Sequence, residues 1–200
     1  TMIIGIIMFF TMNKGLEQSI RDSLFQVISI MTTTGYVTSD YELWIPILGM
    51  LIFVLMFFGG SAGSTGGGVK IIRVVLLMKN SLLELKRLIH PNAVIPVRYN
   101  NRAVDQQVIT NVLAFVSFYI LTIVGSMIVM ASFGYDMDTS IGAVAATLGN
   151  IGPGIGDVGP VDNFSHIPAF GKWFLSLLML IGRLELFTVL ILFSSEFWRQ

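Results

Sequence analysis

Two short stretches of the sequence combine glycine with backbone carbonyls that could bind a cation. They read TTTGY at residues 32–36 and GNIGP at residues 149–153, and laying one over the other places Gly35 on Gly152. Loop carbonyls can replace the hydration shell of a cation, and glycine lets the backbone adopt the φ values that turn carbonyls inward. The two stretches therefore predict a cation filter to which two copies of one backbone segment contribute.

Each stretch follows a short apolar segment with helical periodicity. Residues 17–31 read EQSIRDSLFQVISIM, and residues 136–149 read DMDTSIGAVAATLG, with Asp138 as the predicted N-cap. A membrane span needs about 20 apolar residues, so we predict that both are re-entrant helices. A helix C-terminus that points into the membrane places partial negative charge there, which favours a cation. A turn without ion contact is the alternative, and the recurrence of the unit favours the filter.

A third glycine-rich segment interrupts the apolar pattern between residues 43 and 79. It reads GGSAGSTGGG at residues 59–68, and because glycine has low helix propensity, we predict a helix broken in its middle. The segment also invites interpretation as a phosphate-binding loop. However, Lys70 comes one position late, no Ser or Thr follows it, and no strand pattern precedes the loop. We therefore reject the phosphate-binding loop.

Two ionisable residues, Arg183 and Glu185, lie in the last apolar segment, residues 173–198. Ionisable residues deep in a span are functional by default. In a continuous helix from Trp173, Arg183 would lie roughly 15 Å along the axis, near the middle of the membrane. A structural ion pair that anchors packing is the alternative interpretation for each residue.

The composition places these segments in a membrane. The chain has 200 residues, of which 54% are hydrophobic and 12% charged, and its mean hydropathy is +0.79. A formal net charge of zero argues against a nucleic-acid partner, which requires a basic excess. The chain lacks cysteine, and His90 and His166 lie far apart. We therefore expect no transition-metal site and no covalent cofactor.

The elements that position these residues form two copies of one hairpin unit. The first copy, residues 1–79, begins with an apolar stretch of roughly half a span, which we interpret as the cut end of a helix in a longer protein. A polar connector follows at residues 80–106. The second copy, residues 107–200, contains a long apolar span at 108–134, the second short helix and the last span.

Charge is distributed unevenly between the two ends of the predicted spans. The positive-inside rule predicts that the 80–106 connector is cytoplasmic, and that the acids lie outside, where they could concentrate cations. Seven of the twelve cations lie within the connector or in the end of the first copy that precedes it, namely Lys70, Arg73, Lys79, Lys86, Arg87, Arg98 and Arg102. Eight of the twelve acids lie at the opposite ends of the spans, namely Glu17, Asp22, Asp40, Glu42, Asp136, Asp138, Asp157 and Asp162.

Five motifs, in order, resemble the second half of the TrkH-type potassium uptake proteins, in the superfamily of Trk, Ktr and HKT transporters. They read SIMTTTGY, GGSAGSTGGGVKIIR, IHPNAVIPVRYN, GNIGPGIGD and IGRLELFTVLILFSSEFWR, and the resemblance covers essentially the whole chain. It implies an all-α membrane protein of the bacterial inner membrane. In such proteins four repeats, each an M1 helix, a re-entrant pore helix and an M2 helix, surround a potassium-channel-like pore. This chain would carry the third and fourth repeats.

The resemblance also assigns roles to residues. The third filter segment, which would bind K⁺, is Thr32, Thr33, Thr34 and Gly35, and the fourth is Gly149, Asn150, Ile151 and Gly152. Family members typically have asparagine at the position of Gly149, which predicts a looser fourth segment. Arg183 would face the loop that closes the pore below the filter. The glycines of that loop are Gly59, Gly60, Gly63, Gly66, Gly67 and Gly68.

The partners that the resemblance implies are K⁺, membrane lipid, a second copy in a homodimer, and a cytoplasmic nucleotide-binding ring of the TrkA type. Nucleotide would act only through that ring, and both the 80–106 connector and the C-terminus would be cytoplasmic. Channel-like transport and coupled symport use the same filter. Two other functions stay open, a two-repeat potassium channel that dimerises and a non-conducting assembly subunit. No nucleophile–base pair or cofactor fingerprint supports an enzyme.

Overall fold

The computed structural model describes residues 1–12, 15–90, 93, 95–184, 186–192, 194–195 and 197–199. In chain order its helices are α1 (Met2–Thr11), α2 (Leu16–Met31), α3 (Pro46–Met56), α4 (Ile71–Ile89), α5 (Gln106–Ser132), α6 (Met137–Leu148), α7 (Ala169–Arg183) and α8 (Leu186–Leu192). Short 3-10 helices cover Gly156–Val158, Phe164–His166 and Phe197–Arg199. Two short strands, β1 (Phe58–Gly59) and β2 (Val69–Lys70), pair in parallel, and β3 (Arg98–Tyr99) pairs antiparallel with β4 (Arg102–Ala103).

The short helix α6 lies at the centre of the packing. Its sequence, MDTSIGAVAATL, is rich in small residues, which let neighbouring backbones approach closely. Its side chains from Thr139 to Leu148 are buried, with Ile141 partly exposed. Helix α6 packs against α5 and α7, and it also contacts α3 of the first hairpin. A helix of this length therefore receives its stability from the elements around it.

Two apolar cores flank α6 and share it. The first joins the helices of the first hairpin around Met8 and Leu48, and it includes Ala145 of α6. The second joins α5, α6 and α7, with Met130 and Val144 fully buried. Because α6 contributes to both cores, the two hairpins are packed as one body around it.

Helix α5 is long and apolar enough to cross a membrane. It has 27 residues, and it is the one helix in the described part of the chain that meets that length and hydropathy criterion. Large apolar side chains such as Leu121 and Ile128 are 65% and 66% exposed on its surface. Lipid is the solvent that suits such a surface. The helix begins after Asp105, whose carboxylate accepts a hydrogen bond from the Gln107 N–H at 3.1 Å.

The start of α6 and the end of α4 differ from the sequence-based predictions. Helix α6 is capped by Asp136, whose carboxylate accepts from the Thr139 N–H at 3.2 Å, so the prediction of Asp138 as N-cap is wrong. Asp138 instead lies in the first turn, where an acid stabilises the helix dipole. Helix α4 continues to Ile89, so the first part of the predicted 80–106 connector is helical.

The last apolar segment is not one helix. Helix α7 ends at Arg183 and α8 begins at Leu186, so the prediction of a continuous span over residues 173–198 is wrong. Arg183 therefore lies at a helix C-terminus, where its charge stabilises the dipole. The break lies where α7 meets the end of α6. A Cβ atom added to Gly182 would lie 2.1 Å from the carbonyl oxygen of Leu148.

We predict that Gly142→Ala destabilises the protein, because α6 packs its backbone directly against the chain that follows the second turn. An added Cβ would lie 2.2 Å from the carbonyl oxygen of Ile155 and 2.6 Å from its nitrogen. Overpacking of this kind costs about 1–3 kcal/mol. The thermal midpoint of the full-length protein in detergent measures the effect.

Gly125→Ala is the matched control, since Gly125 lies on the exposed face of α5 with no described atom near its added Cβ. Alanine has the higher helix propensity by about 1 kcal/mol, so this variant should keep or slightly raise the midpoint. Equal midpoints for the two variants would contradict the central position of α6.

Candidate cation-binding site

The turn after α2 has the hydrogen bonds of a Schellman motif. Thr32 keeps helical dihedral angles, and Thr33 then turns to a φ of 55°. The Thr33 N–H donates to the carbonyl of Ile30 at 3.0 Å, and the Thr34 N–H donates to that of Ser29 at 2.9 Å. This pattern satisfies the last carbonyls of the helix and directs the chain away from its axis.

The turn after α6 repeats this geometry residue by residue. Asn150 has a φ of 56°, and its N–H donates to the carbonyl of Thr147 at 3.1 Å. The N–H of Ile151 donates to the carbonyl of Ala146 at 2.9 Å. Gly149, like its counterpart in the first turn, keeps helical dihedral angles. The sequence alignment of the two stretches therefore corresponds to matching backbone conformations.

Four residues of the two turns have positive φ, in matching pairs. Thr33 corresponds to Asn150, and Gly35, at 77°, corresponds to Gly152, at 110°. Glycine and asparagine tolerate this region, but a β-branched residue such as Thr33 is an outlier there, at a cost of roughly 1–2 kcal/mol. Surrounding contacts hold Thr33 in place. Backbone strain of this kind concentrates at functional sites.

Hydroxyl groups of the first turn bond within the turn itself. The Thr32 hydroxyl donates to the carbonyl of Ile28 at 2.7 Å, and it lies 2.7 Å from the hydroxyl of Thr34. The Ser29 hydroxyl donates to the carbonyl of Tyr36 at 2.6 Å, which fixes the outgoing chain beside α2. These hydroxyls therefore position the turn, and the backbone carbonyls are the groups it can offer a cation.

The two turns meet through a close backbone contact. A Cβ atom added to Gly35 would lie 2.0 Å from the carbonyl oxygen of Ile151. A side chain at position 35 would therefore displace the fourth segment. Just beyond the turns, the Tyr41 hydroxyl donates to the carbonyl of Gly154 at 2.5 Å. The two turns thus lie side by side, and a buried hydrogen bond joins the chain that follows each of them.

Acidic side chains converge beside the two turns. The Glu42 carboxylate accepts the N–H of Gly156 at 2.6 Å, which links the loops that follow the turns. Burial raises the pKa of Glu42, the Gly156 N–H lowers it, and the charges of Asp40, Asp162 and Asp157 raise it further. Carboxylates from both hairpins therefore raise the pKa of the Glu42 carboxyl group. Such a cluster raises the local concentration of cations.

The glycine-rich loop is closed at its base by backbone pairing. The Val69 N–H donates to the carbonyl of Phe57 at 2.9 Å, and the Ile71 N–H donates to that of Gly60 at 3.2 Å. These bonds flank the parallel pair of β1 and β2. The helix predicted over residues 43–79 is therefore broken as expected, and the loop leaves and re-enters at one place.

The tip of this loop lies against both turns. A Cβ atom added to Gly66 would lie 3.3 Å from the Thr33 hydroxyl oxygen, and one added to Gly67 would lie 2.4 Å from the carbonyl oxygen of Gly149. Gly63, by contrast, has no described atom within 4 Å of an added Cβ. The structure thus brings together three motifs that the sequence predicted separately.

A lysine that the sequence-based prediction did not include in the site lies inside the loop. Lys70 is only 7% exposed, and its Nζ donates to the carbonyl of Ser64 and, at 3.2 Å, to that of Gly66. A lysine at the start of an apolar helix, beside a glycine-rich loop whose carbonyls can accept hydrogen bonds, is the sequence signal for this position.

Arg183 is exposed at the C-terminal end of α7. Within the part of the chain that the structure describes, no hydrogen bond or ion pair joins Arg183 to another residue, and Glu185 lies outside that part. Its neighbour Gly182 contacts the second turn instead. There the Asn150 side-chain amide donates to the carbonyl of Met179 at 3.1 Å, which fixes α7 against the fourth segment.

Comparison with known proteins identifies the family of this chain. A family model for TrkH, described as a cation transport protein, matches residues 10–200. The chain belongs to the TrkH family. This confirms the resemblance stated from the five motifs, and it places the chain among transport proteins rather than enzymes.

Relatives of this TrkH-family chain agree along nearly its whole length. The Trk system potassium uptake protein TrkH of Escherichia coli strain K12 is 42% identical over 195 residues, which are 98% of this chain and 40% of the relative. The protein TrkI of Halomonas elongata is 40% identical over 183 residues, 91% of this chain and 37% of the relative. The chain thus spans about two fifths of the curated relatives it matches.

A solved structure confirms the helical fold. The crystal structure of the potassium transporter TrkH from Vibrio parahaemolyticus matches with a TM-score of 0.91 at 39% sequence identity. The match covers 99% of this TrkH-family chain and 42% of the crystallised chain.

We predict that Glu42→Gln stabilises the protein at neutral pH and not at acidic pH. Since the pKa of Glu42 is raised, its charge is disfavoured in the folded state. This penalty is absent below the unfolded pKa and complete above the folded one. Glutamine keeps an oxygen for the Gly156 N–H, so the gain should be below about 1 kcal/mol at roughly pH 8, since the group is mostly exposed. It should vanish as the pH falls below the unfolded value.

Thermal unfolding of the full-length protein at both pH values measures this difference. Glu42→Ala is the control, because it removes the oxygen that accepts the Gly156 N–H together with the charge. This control should be less stable than Glu42→Gln at both pH values. A pH-independent difference between wild type and Glu42→Gln would contradict the electrostatic account.

Proposed function

We propose that the full-length protein takes up K⁺ across the inner membrane of a bacterium, and that residues 32–35 and 149–152 are two of its four filter segments. The observation that carries this proposal is the pair of matching turns that meet where Gly35 packs on the carbonyl of Ile151. The names of the relatives, which are potassium uptake proteins, support the choice of ion. The other two segments would come from the rest of the parent protein.

Potassium is the cargo, and the protein must offer it oxygen atoms in place of water. The Schellman bonds fix the directions of the carbonyls after α2 and α6, so little reorganisation is needed when an ion enters. The C-termini of both helices add partial negative charge. The acids around Glu42 raise the cation concentration at one end of the site.

The glycine-rich loop is the proposed gate, because its tip at Gly66 and Gly67 lies against both turns. An ion that leaves the turns on this side meets the loop. In this proposal Arg183 opposes the ion through its charge. Bonding between its guanidinium and the loop is not part of the proposal, since the described structure contains no such hydrogen bond.

The proposed orientation places the end of α4 and the chain up to residue 106 in the cytoplasm, together with the C-terminus. Exposed cations lie there, namely Lys79, Lys86, Arg98 and Arg102. They suit an acidic partner surface, and the proposed partners are a second copy of the protein and a nucleotide-binding regulatory ring. No cofactor of its own is proposed for this chain.

We predict that Gly35→Ser weakens the discrimination of K⁺ from Na⁺. The serine Cβ would need the space of the Ile151 carbonyl oxygen, and it would be strained at a φ of 77°. Loss of one fixed carbonyl ligand should reduce the K⁺/Na⁺ selectivity ratio by about tenfold, which corresponds to about 1.4 kcal/mol of lost K⁺ stabilisation. Rubidium uptake into liposomes that contain the full-length protein, in competition with Na⁺, measures the ratio.

Gly134→Ser is the matched control for this prediction. Gly134 also has positive φ, at 90°, but it lies after α5 with no described atom near its added Cβ. The control carries the same backbone strain and should keep wild-type selectivity. Unchanged selectivity in a folded Gly35→Ser protein would remove Gly35 from the filter.

We predict that Arg183→Ala raises uptake with only a small loss of stability, below about 1 kcal/mol, from the lost interaction with the α7 dipole. The substitution removes a positive charge, which is more effective in a narrow pore than in water, and it breaks no described hydrogen bond. Arg183→Lys keeps the charge, so its uptake should stay close to that of the wild type. Uptake and thermal midpoint are measured on both variants. A fall of both quantities together in Arg183→Ala would identify a packing anchor instead.

A further inference from the structure

Lys70 is a buried cation in a predominantly apolar part of the molecule. It lies at the N-terminal boundary of α4 and is 7% exposed. An ammonium group at such a place is costly unless several acceptors surround it. Its Nζ contacts two acceptors, the carbonyls of Ser64 and Gly66, and both belong to the tip of the glycine-rich loop.

The tip forms a compact local unit. The Ser64 N–H donates to the carbonyl of Ser61 at 2.9 Å, and the Ser64 hydroxyl accepts the Gly66 N–H at 3.1 Å. These short-range bonds hold residues 61–66 in one shape. The loop base, by contrast, is held by the backbone pairing of β1 and β2. The hydrogen bonds that shape residues 61–66 are therefore separate from those that pair the strands at the base.

We propose that Lys70 is the latch that holds this tip against the two turns, so that release of its two hydrogen bonds opens the path below the filter. The inference rests on the proposed function, because it assigns a regulatory residue to the same site. Lys70 is a positioning residue that acts through the loop.

The contacts of the tip with the turns support this role. Gly66 and Gly67 carry no side chains, so on their side only main-chain atoms face the turns, where the nearest atoms belong to the Thr33 side chain, the Gly149 carbonyl and the Asn150 side-chain amide. Such contacts bury little apolar surface and stabilise the closed position weakly. Two hydrogen bonds from a charged donor are stronger. The tip position therefore depends mainly on Lys70.

The neighbouring cations differ from Lys70 in what they contact. The Arg73 guanidinium lies over the Phe115 ring, 4.0 Å from its centroid. Lys79 donates to the carbonyl of Arg98, outside the loop, at 3.1 Å. Arg183 is exposed at the end of α7. Unlike Lys79 and Arg183, Lys70 has described hydrogen bonds to the loop.

The test compares Lys70→Met with Lys172→Met in the full-length protein. Lys172 is exposed on α7, and its Nζ donates to the carbonyl of Ser165 at 2.9 Å, away from the loop. Methionine keeps most of the lysine length but has no donor. Amide hydrogen exchange over residues 61–67 reports the position of the tip without any need for transport, and rubidium uptake without a regulatory partner reports the gate. We expect Lys70→Met to exchange at least about tenfold faster, as loss of charged hydrogen bonds implies, and to take up more rubidium. Lys172→Met should match the wild type in both.

Two further variants keep the test decisive. Lys70→Arg retains charge and donors and should stay near the wild type. If Lys70→Met does not fold, Ser64→Ala, which removes the hydroxyl that shapes the tip, should accelerate exchange to a smaller extent. Unchanged exchange in a folded Lys70→Met protein would overturn the latch. If the wild type transports rubidium, faster exchange in Lys70→Met without higher rubidium uptake would also overturn it. Faster exchange with no uptake by any variant, wild type included, would support the latch and refute the proposed function.

Discussion

Glycine backbone from three other segments surrounds the end of α6, and this close packing is the constraint on which the rest of the structure depends. Added Cβ atoms at Gly182, Gly67 and Gly35 would lie 2.1, 2.4 and 2.0 Å from the carbonyl oxygens of residues 148, 149 and 151. No side chain fits between these backbones. The carbonyls of residues 148, 149 and 151 are therefore packed directly against main chain rather than against side chains.

This constraint explains how three glycines join the first turn, the glycine-rich loop and α7 to the end of α6. Gly35 brings in the first turn, Gly67 brings in the loop, and Gly182 brings in the last turn of α7. A change in the loop position therefore acts directly on the backbone that the proposal assigns to the ion. The outer loops add a second connection through the hydrogen bonds of Tyr41 and Glu42. The two hairpins are thus coupled on both sides of the turns.

Local chemistry explains which features the sequence could predict. Glycine at position 35 and at position 152 marks the turns, because few other residues adopt positive φ, and the run at 59–68 marks the broken helix. The break after Arg183 was not predicted, because neither proline nor a glycine run marks it in the sequence, and the contact of Gly182 with the Leu148 carbonyl beside it depends on tertiary packing. The proposed role of Lys70 depends on how the glycine-rich loop folds back to bring the carbonyls of Ser64 and Gly66 to its Nζ atom, and the spacing of residues in the sequence does not predict this fold.

The central claim is that the carbonyls of residues 32–35 and 149–152 bind potassium. The most direct measurement is a structure of the full-length protein in rubidium or thallium salt, with anomalous scattering used to locate the ions. The account predicts an anomalous peak between the two turns, within coordination distance of carbonyl oxygens from both segments. Well-ordered turns without a peak, together with ions bound elsewhere in the pore, would contradict it.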